Sequence, residues 1–181
     1  MRAGLIGAVL LLAALLSGCA ALARLDGFSN PTLLAIAPET LGERTVEQRL
    51  VIRWSGEARA LEAVLEISAG KLFLALMSFG MRVSTLEYDG RTLVETRHLP
   101  QAPSGARMVN DLLMIAAPLE ALQAALPEGW TVTESERQRT LAQNDKIQIV
   151  IRYAAATPWQ GQVEFAQRAL GYQLILDSHE F

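Results

Sequence analysis

Strand-length segments that alternate apolar and polar residues follow one another along most of the chain, and this pattern constrains the fold most. In segment 45–54, Val46 and Leu50 fall on one face of a strand, and Glu47 and Arg49 fall on the other. Such period-two alternation is typical of a strand with one buried face. The predicted strands are 45–54, 58–68, 71–79, 82–88, 91–99, 130–142, 146–153, 159–167 and 171–178.

Two of the predicted strands need a further argument. Segment 58–68 is rich in Ala, Leu and Glu, which favour helix, and we interpret it as a strand because strand-like segments lie on both sides of it. Segment 71–79 is apolar on both faces, with Leu72 on one face and Phe73 on the other. We therefore expect this strand to lie deep in the sheet, with one face toward a cavity and the other under an outer cover.

The pattern changes between the two groups of strands. Residues 107–117 have apolar residues at helical spacing, and Pro118 can end this helix and begin a second one over 119–126. Asp89-Gly90 predicts a two-residue type I′ hairpin, and Asn144-Asp145 predicts a second turn. The expected fold class is α+β: a curved antiparallel sheet of about nine or more strands, forming an open, unclosed β-barrel wrapped around a helical hairpin.

The first residues are typical of an exported lipoprotein. Arg2 supplies a positive charge before the apolar run 3–16, and small residues then lead to Cys19, the only cysteine of the chain. This arrangement predicts a lipoprotein signal peptide over 1–18 and lipidation of Cys19, with palmitate among its acyl groups. An ordinary signal peptide followed by an incidental cysteine is the alternative.

The expected organisation is a signal peptide over 1–18, a lipidated tether over 19–31 and a single domain over 32–181, with one helical turn at 32–37 before Pro38. A single cysteine excludes an intramolecular disulfide, so the domain must depend on its core. In Gram-negative bacteria, an aspartate after the lipidated cysteine favours retention in the inner membrane. Ala20 stands at that position and acts as the predicted sorting residue, which favours the outer membrane, facing the periplasm, over the inner membrane.

A curved sheet around a short helical hairpin encloses an interior wide enough for an apolar ligand, provided that side chains leave it unfilled. We predict that apolar residues of the strands and of the first helix line this cavity: Leu65, Ile67, Leu72, Leu74, Leu76, Met108, Leu112, Leu113, Ile149 and Ile151. Trp54, Trp130 and Trp159 fall near predicted strand ends. They either rim the cavity or close the core, and closing the core is favoured.

Two charged features fall inside these elements. In "TESERQR" (133–139), Glu134 and Glu136 lie on one strand face while Arg137 and Arg139 lie on the other. This pattern predicts a solvated outer strand, and a charged patch for a partner is the alternative. Asp111 lies inside the apolar first helix and could be a polar group at the cavity mouth. We favour a cap or a solvent-facing position on the first helical turn.

No pattern in the sequence predicts catalysis, and we expect a protein that is not an enzyme. His98 and His179 are far apart and have no neighbouring Cys or carboxylate cluster, which makes a poor metal site. No serine lies in a G-x-S-x-G motif, and the sequence contains no glycine-rich phosphate loop. A net charge of −3 does not favour nucleic-acid binding. We expect a monomer without a metal or cofactor.

Taken in order, several motifs resemble a family. The lipobox, the tether, the strands ending in "LEYDG", the helical hairpin around "NDLLMIAAPLEAL" and the closing "GYQLIL" resemble a group of uncharacterised bacterial lipoproteins, whose fold is similar to that of LolA and LolB. The resemblance covers most of the chain after Cys19. It implies an open β-barrel with helices as a lid and an apolar cavity for acyl chains. Some members are encoded beside fatty-acid-type or aryl polyene synthesis genes, which implies a hydrophobic cargo.

The resemblance also raises the question of a membrane-inserting loop. LolB uses an exposed apolar loop to push acyl chains into the membrane, and "MSFGM" (77–81) is the nearest candidate here. An ordinary turn between strands, with buried flanking side chains, is the favoured interpretation of this segment.

Two functions follow from the sequence and the resemblance. The first is a membrane-anchored periplasmic lipoprotein that binds or transfers a hydrophobic ligand of the acyl-chain or polyene type. The alternative is a non-enzymatic envelope assembly or scaffold lipoprotein that docks a protein partner. The alternative requires an interior filled by the protein's own side chains and an exposed apolar patch outside. A hydrolase ranks third, because it needs a nucleophile and a base within reach of each other.

Overall fold

A computed structural model describes residues 31–99 and 102–181 of the chain. The predicted signal peptide, Cys19, Ala20 and most of the predicted tether lie outside the described residues. The described part contains a 3₁₀ turn (Pro38–Leu41), two helices and ten strands. Their bounds are β1 (Arg44–Trp54), β2 (Glu57–Ser68), β3 (Lys71–Ser78), β4 (Met81–Tyr88), β5 (Leu93–Arg97), α1 (Gly105–Ala116), α2 (Leu119–Ala125), β6 (Trp130–Ser135), β7 (Gln138–Gln143), β8 (Lys146–Tyr153), β9 (Gly161–Gln167) and β10 (Tyr172–Glu180).

The strands form one antiparallel sheet in the order β5-β4-β3-β2-β1-β10-β9-β8-β7-β6. Strands that are neighbours in sequence are also neighbours in the sheet, except for β5 and β6. In addition, β1 pairs with β10, with Leu50 opposite Leu176. This pairing joins the two halves of the chain. In the described part of the chain, β5 and β6 end the sheet and do not pair with each other. The predicted large, unclosed antiparallel sheet with two helices is therefore confirmed.

The sheet must curl around α1, because this one short helix contacts strands near both edges of the sheet. Gly105 at the start of α1 packs against Leu86 of β4 and Glu95 of β5, and three carbonyl groups at its end bind Arg139 of β7. Strands β5 and β7 are eight positions apart in the sheet, which is about 38 Å across a flat sheet. A helix of 12 residues is only about 18 Å long. This geometry is consistent with an open barrel.

The predicted single strand over 130–142 is wrong, because the chain turns back at Glu136 and Arg137. Glu136 has a positive φ of 52°, and Ser135 pairs directly with Gln138 across the turn. The segment therefore forms the hairpin β6–β7. Before this turn a buried apolar residue has an even number (Val132), and after it a buried apolar residue has an odd number (Leu141). A continuous strand buries every second residue and does not allow this change.

The type I′ turn predicted at Asp89-Gly90 is also wrong, since β4 and β5 are joined by a four-residue loop between Tyr88 and Leu93. The Asp89 carboxylate accepts hydrogen bonds from the backbone N–H groups of Arg91 (2.9 Å) and Thr92 (2.7 Å). In this loop only Gly90 has a positive φ, 95°. The Asn144-Asp145 turn is confirmed, and both of its residues have positive φ values, 47° and 63°.

Residues 33–37 form a strap with neither helix nor strand structure, so the helical turn predicted at 32–37 is wrong. The buried Leu34 and Ile36 pack into the core, and the 3₁₀ turn begins only at Pro38. The Leu34 N–H donates to Oδ1 of Asn110 at 2.9 Å, and the Tyr88 hydroxyl donates to the Leu34 carbonyl. The strap is thus tied both to α1 and to β4.

Candidate functional site

The ten residues predicted to line a cavity are brought together by the fold. All ten are buried and belong to one hydrophobic cluster: Leu65 and Ile67 on β2, Leu72, Leu74 and Leu76 on β3, Met108, Leu112 and Leu113 on α1, and Ile149 and Ile151 on β8. We call the face of the sheet that bears this cluster the inner face. The contact of these residues with a ligand stays a prediction.

The C-terminal end of α1 is held by Arg139, which the sequence analysis placed in a solvated strand. That prediction is wrong, because Arg139 is only 6% exposed. Its Nη1 donates to the carbonyl groups of Met114 (2.8 Å) and Ala117 (2.9 Å), and its Nε and Nη2 donate to Oε2 of Glu134 at 2.8 and 2.6 Å. A guanidinium suits the partial negative charge of a helix C-terminus.

Tyr153 of β8 adds a second donor at the same helix end. Its hydroxyl donates to the Ile115 carbonyl at 2.7 Å, and burial raises the pKa of this phenol to about 12. Tyr153 therefore stays a hydrogen-bond donor across the physiological pH range. Together, Arg139 and Tyr153 satisfy carbonyl groups that have no partner within the helix.

Asp111 is buried against β10, so its predicted position as a cap or a solvent-facing group is wrong. Both of its carboxyl oxygens lie within hydrogen-bond distance of the Tyr172 hydroxyl, at 2.7 and 2.9 Å. Burial raises the pKa of Asp111 to about 7, against the opposing effects of the Tyr172 hydrogen bond and the Arg107 charge. Burial and the neighbouring Asp111 also raise the pKa of Tyr172. This cluster lies on the inner face, because Tyr172 pairs with Trp54 of β1.

Large apolar side chains are exposed at the hairpin that joins β3 and β4. Phe79 is 98% exposed and Met81 is 58% exposed, at a turn in which Phe79 and Gly80 have positive φ values. The favoured prediction of buried side chains flanking this turn is therefore wrong. The predicted outer cover of strand 71–79 is wrong too, because Phe73, on the face opposite Leu72 and Leu74, is 39% exposed.

The three tryptophans occupy different surroundings. Trp159 is buried in the core, with the Arg44 guanidinium 4.5 Å from its ring centroid. Trp54 and Trp130 are half-buried and pack against the edge of the hydrophobic cluster. The Arg59 guanidinium lies 5.8 Å from the ring centroid of Trp54.

His98 and His179 lie on exposed positions, after β5 and on β10 respectively. Within residues 31–99 and 102–181, no group of three or more His, Cys, Asp and Glu side chains is arranged to hold a metal ion. None of the helices in this part of the chain combines the length and the apolar character needed to cross a membrane.

A known protein family matches most of the chain. The family described as "Protein of unknown function (DUF3261)" matches residues 45–180, which run from the start of β1 to the end of β10. No curated protein matches the chain.

Proposed function

The chain belongs to the DUF3261 family, and we propose that it is a lipid-anchored periplasmic protein that binds a hydrophobic ligand between its open sheet and α1. In this proposal, lipidated Cys19 fixes the protein to the outer membrane, with Ala20 as the sorting residue, and the LolA/LolB-like arrangement supplies the site. The ligand is an amphiphile of the acyl-chain or polyene type. The protein binds or transfers this ligand without chemical change.

The observation that best supports this proposal is how the inner face is covered. In the described part of the chain, two short helices cover the apolar cluster, and the terminal strands β5 and β6 do not pair to close it. A helix can move away from a sheet without breaking a strand ladder. Acyl chains would then replace helix contacts on the inner face, and each methylene removed from water contributes about 0.8 kcal/mol.

The polar contacts of α1 support the same proposal. Asn110 binds the strap, Asp111 binds Tyr172, and Arg139 binds the last carbonyl groups of the helix. Such contacts fix the position of a helix more specifically than apolar packing does, and water can replace them when the helix moves. The helix therefore has one defined closed position.

Native mass spectrometry of residues 19–181, with Cys19→Ser and purified from the native host, tests this proposal. A matched pair of variants probes the two faces of β2. Ala63→Phe adds a ring on the inner face, where Ala63 is buried opposite Leu76, and Ala58→Phe adds the same ring at an exposed position. We expect a co-purifying lipid mass in the unmodified chain and in Ala58→Phe, and its loss in Ala63→Phe with the folded charge-state distribution retained.

The opposite result would be a clean mass in every sample, even after incubation with lipid extract of the host. If Ala63→Phe also lowered the free energy of unfolding by about 1–3 kcal/mol, the interior would be filled by the protein's own side chains. Those two results together would exclude the carrier function.

A docking scaffold is the second candidate, and one observation on the outer face favours it. Phe73 of β3 and Val94 of β5 are 39% and 59% exposed and lie in one cross-strand row, on either side of Glu87. Exposed apolar side chains in a row are typical of a protein contact. The scaffold predicts that Val94→Glu abolishes function in cells while Ala63→Phe retains it, and the carrier predicts the reverse.

A further inference from the structure

Residues 33–41 cross one end of the inner face. The strap lies against Tyr88, which ends β4 and stands opposite the inner-face residue Leu72. The 3₁₀ turn then reaches the turn between β2 and β3, where a Cβ atom at Gly70 would lie 2.6 Å from Oε1 of Glu39. This segment therefore covers the end of the inner face at which β3 begins and β4 ends.

Alternate side chains of the strap are buried in the core. Leu34 and Ile36 are 7% and 2% exposed and belong to the same hydrophobic cluster as the inner face, whereas Ala35 and Ala37 are exposed. Within the described residues, none of the ten strands pairs with the strap. Two aliphatic side chains from outside the sheet therefore complete the core at this end.

Side chains of the neighbouring elements, rather than a strand ladder, hold the backbone of the strap. The Tyr88 hydroxyl donates to the Leu34 carbonyl and accepts the Ile36 N–H at 3.3 Å, and Oδ1 of Asn110 accepts the Leu34 N–H at 2.9 Å. Such bonds are individually weak, because water replaces them when they break. The strap can therefore leave the inner face while every strand pairing of the sheet is kept.

The strap occupies the kind of place that an acyl chain requires. An acyl chain gains its binding free energy by leaving water, so it binds against buried aliphatic side chains. Leu34 and Ile36 already fill such a place between α1 and β4. Because packed protein interiors have little free volume, a chain that enters at this end has to displace them.

We propose that the strap is a displaceable plug of the ligand site. Leu34 and Ile36 occupy the end of the inner face at which the apolar chain of the ligand enters, and binding of the ligand drives them out. This inference rests on the proposed carrier function. The strap directly follows the predicted tether in sequence, so one segment links the predicted lipid anchor to the opening of the site.

Hydrogen exchange of residues 19–181, with Cys19→Ser, tests the plug, with palmitate and lysophosphatidylglycerol as probes. A ligand that binds the folded chain ordinarily slows exchange, because it stabilises the folded state. A displaced strap gives the opposite sign at its own amides. We expect a bound probe to speed the exchange of the Leu34 and Ile36 amides about tenfold or more. Exchange in β1, which is paired with β2 and β10, should slow or stay unchanged.

A pair of variants tests the competition between the strap and the ligand. Tyr88→Phe removes the hydroxyl that holds two backbone groups of the strap and keeps the ring in the core. A more weakly held strap is easier to displace, so we expect Tyr88→Phe to bind the probes about fivefold more tightly. Ala35→Ser, at an exposed position of the strap, is the control and should bind them as the unmodified chain does. The exchange measurement needs no variant, so it decides the question even if Tyr88→Phe does not fold.

The possible outcomes separate the plug from the carrier function. A bound probe that slows exchange in the strap as it does in the strands, or equal or weaker binding by folded Tyr88→Phe, refutes the plug and leaves the carrier function standing. If neither probe binds the unmodified chain or Tyr88→Phe, the carrier function fails and the plug fails with it. Binding by Tyr88→Phe alone would support both, because the strap would then be what keeps the unmodified chain closed.

Discussion

At the residue scale, Arg139 links α1 to the edge of the sheet. Its guanidinium bonds the carbonyl groups of Met114 and Ala117 and pairs with Glu134, and its side chain is almost fully buried. Removing one partner of such a group leaves polar atoms buried without hydrogen bonds, which costs more than the contact contributes.

We therefore expect Arg139→Gln to lower the free energy of unfolding by about 3 kcal/mol. Arg152→Gln is the matched control, because Arg152 on β8 forms only an exposed ion pair with Glu164, at 3.9 Å. Such exposed pairs contribute less than about 1 kcal/mol. Urea unfolding followed by circular dichroism measures both variants, and equal losses would contradict the role of Arg139 at the end of α1.

Asp111 makes the stability of the fold depend on pH. Its folded pKa of about 7 lies above its ordinary value of 3.8, so the folded state holds the proton more tightly than the unfolded chain does. The stabilisation is complete below pH 3.8 and is lost as the pH rises through 7. The expected decrease in the free energy of unfolding is at most about 4 kcal/mol.

Asp111→Asn should remove this pH dependence, because the amide can still bond Tyr172 and does not titrate between pH 4 and 8. Urea unfolding at several pH values gives the two profiles. Asp177→Asn, which removes an exposed carboxylate of β10, is the control and should keep the profile of the unmodified chain. A parallel profile in Asp111→Asn would show that another group is responsible.

At the element scale, α1 begins at a glycine that lies close against β4 and β5. A Cβ atom at Gly105 would lie 2.6 Å from Cδ2 of Leu86 and 2.9 Å from Cδ of Glu95. Leu86 is fully buried, so its side chain would have to shift within a packed core. The close approach of α1 to β4 and β5 therefore depends on the absence of a side chain at this position.

Gly105→Ala should lower the free energy of unfolding by about 1–3 kcal/mol, through overpacking against Leu86. In most helices the same change is stabilising by about 0.5–1 kcal/mol. Ala124→Gly in the exposed part of α2 measures that ordinary effect in this protein. Thermal unfolding distinguishes the two cases, and a more stable Gly105→Ala variant would contradict the packing of α1 against β4.

The strands differ in how far the sequence predicts them. β1 to β4 were predicted to within one residue at each end, because their alternation is regular and Gly56, Gly70 and Gly80 mark the turns between them. The β6–β7 hairpin was not predicted, since Glu136 adopts a positive φ where no glycine or asparagine signals a turn. The sequence signal for this hairpin was the switch of the buried face from even-numbered residues such as Val132 to odd-numbered residues such as Leu141.

The candidate site could be predicted only in its apolar part. Periodicity placed Leu65, Leu113 and Ile151 on buried faces without any knowledge of the fold. The polar contacts of Asp111 and Arg139 join residues far apart in the chain, so they depend on which strands lie beside α1. The local sequence pattern does not contain that information. Arg139 was therefore predicted to be solvated, and Asp111 was predicted to cap the helix or face solvent.

At the scale of the whole molecule, the pairing of β1 with β10 decides the architecture. It joins two meanders into one sheet and leaves β5 and β6 as unpaired ends in the described part of the chain. Gln123 of α2 partly protects the β6 end, since its side-chain oxygen accepts the Val132 N–H at 3.1 Å. A helix thus satisfies an edge group that could otherwise pair with another chain.

The β3–β4 hairpin gives the molecule an apolar tip suited to a membrane surface. Phe79 is almost completely exposed, so its entry into a bilayer breaks no packing contact in the core. Burying a phenylalanine side chain contributes about 1.5–3 kcal/mol. We expect Phe79→Ser to weaken the association of residues 19–181 (Cys19→Ser) with phosphatidylglycerol vesicles about tenfold. Phe73→Ser, at a partly exposed position on the outer face of β3, should have a much smaller effect.

Cosedimentation with vesicles measures this association, and a tryptophan probe checks its geometry. In the presence of brominated lipid, the added emission of Phe79→Trp should be quenched, because the tip enters the acyl region, while that of Phe73→Trp should not be. Equal quenching at both positions would mean that the face of the sheet, rather than the hairpin tip, lies on the membrane. The inner face would then have to receive its ligand from solution or from a partner protein.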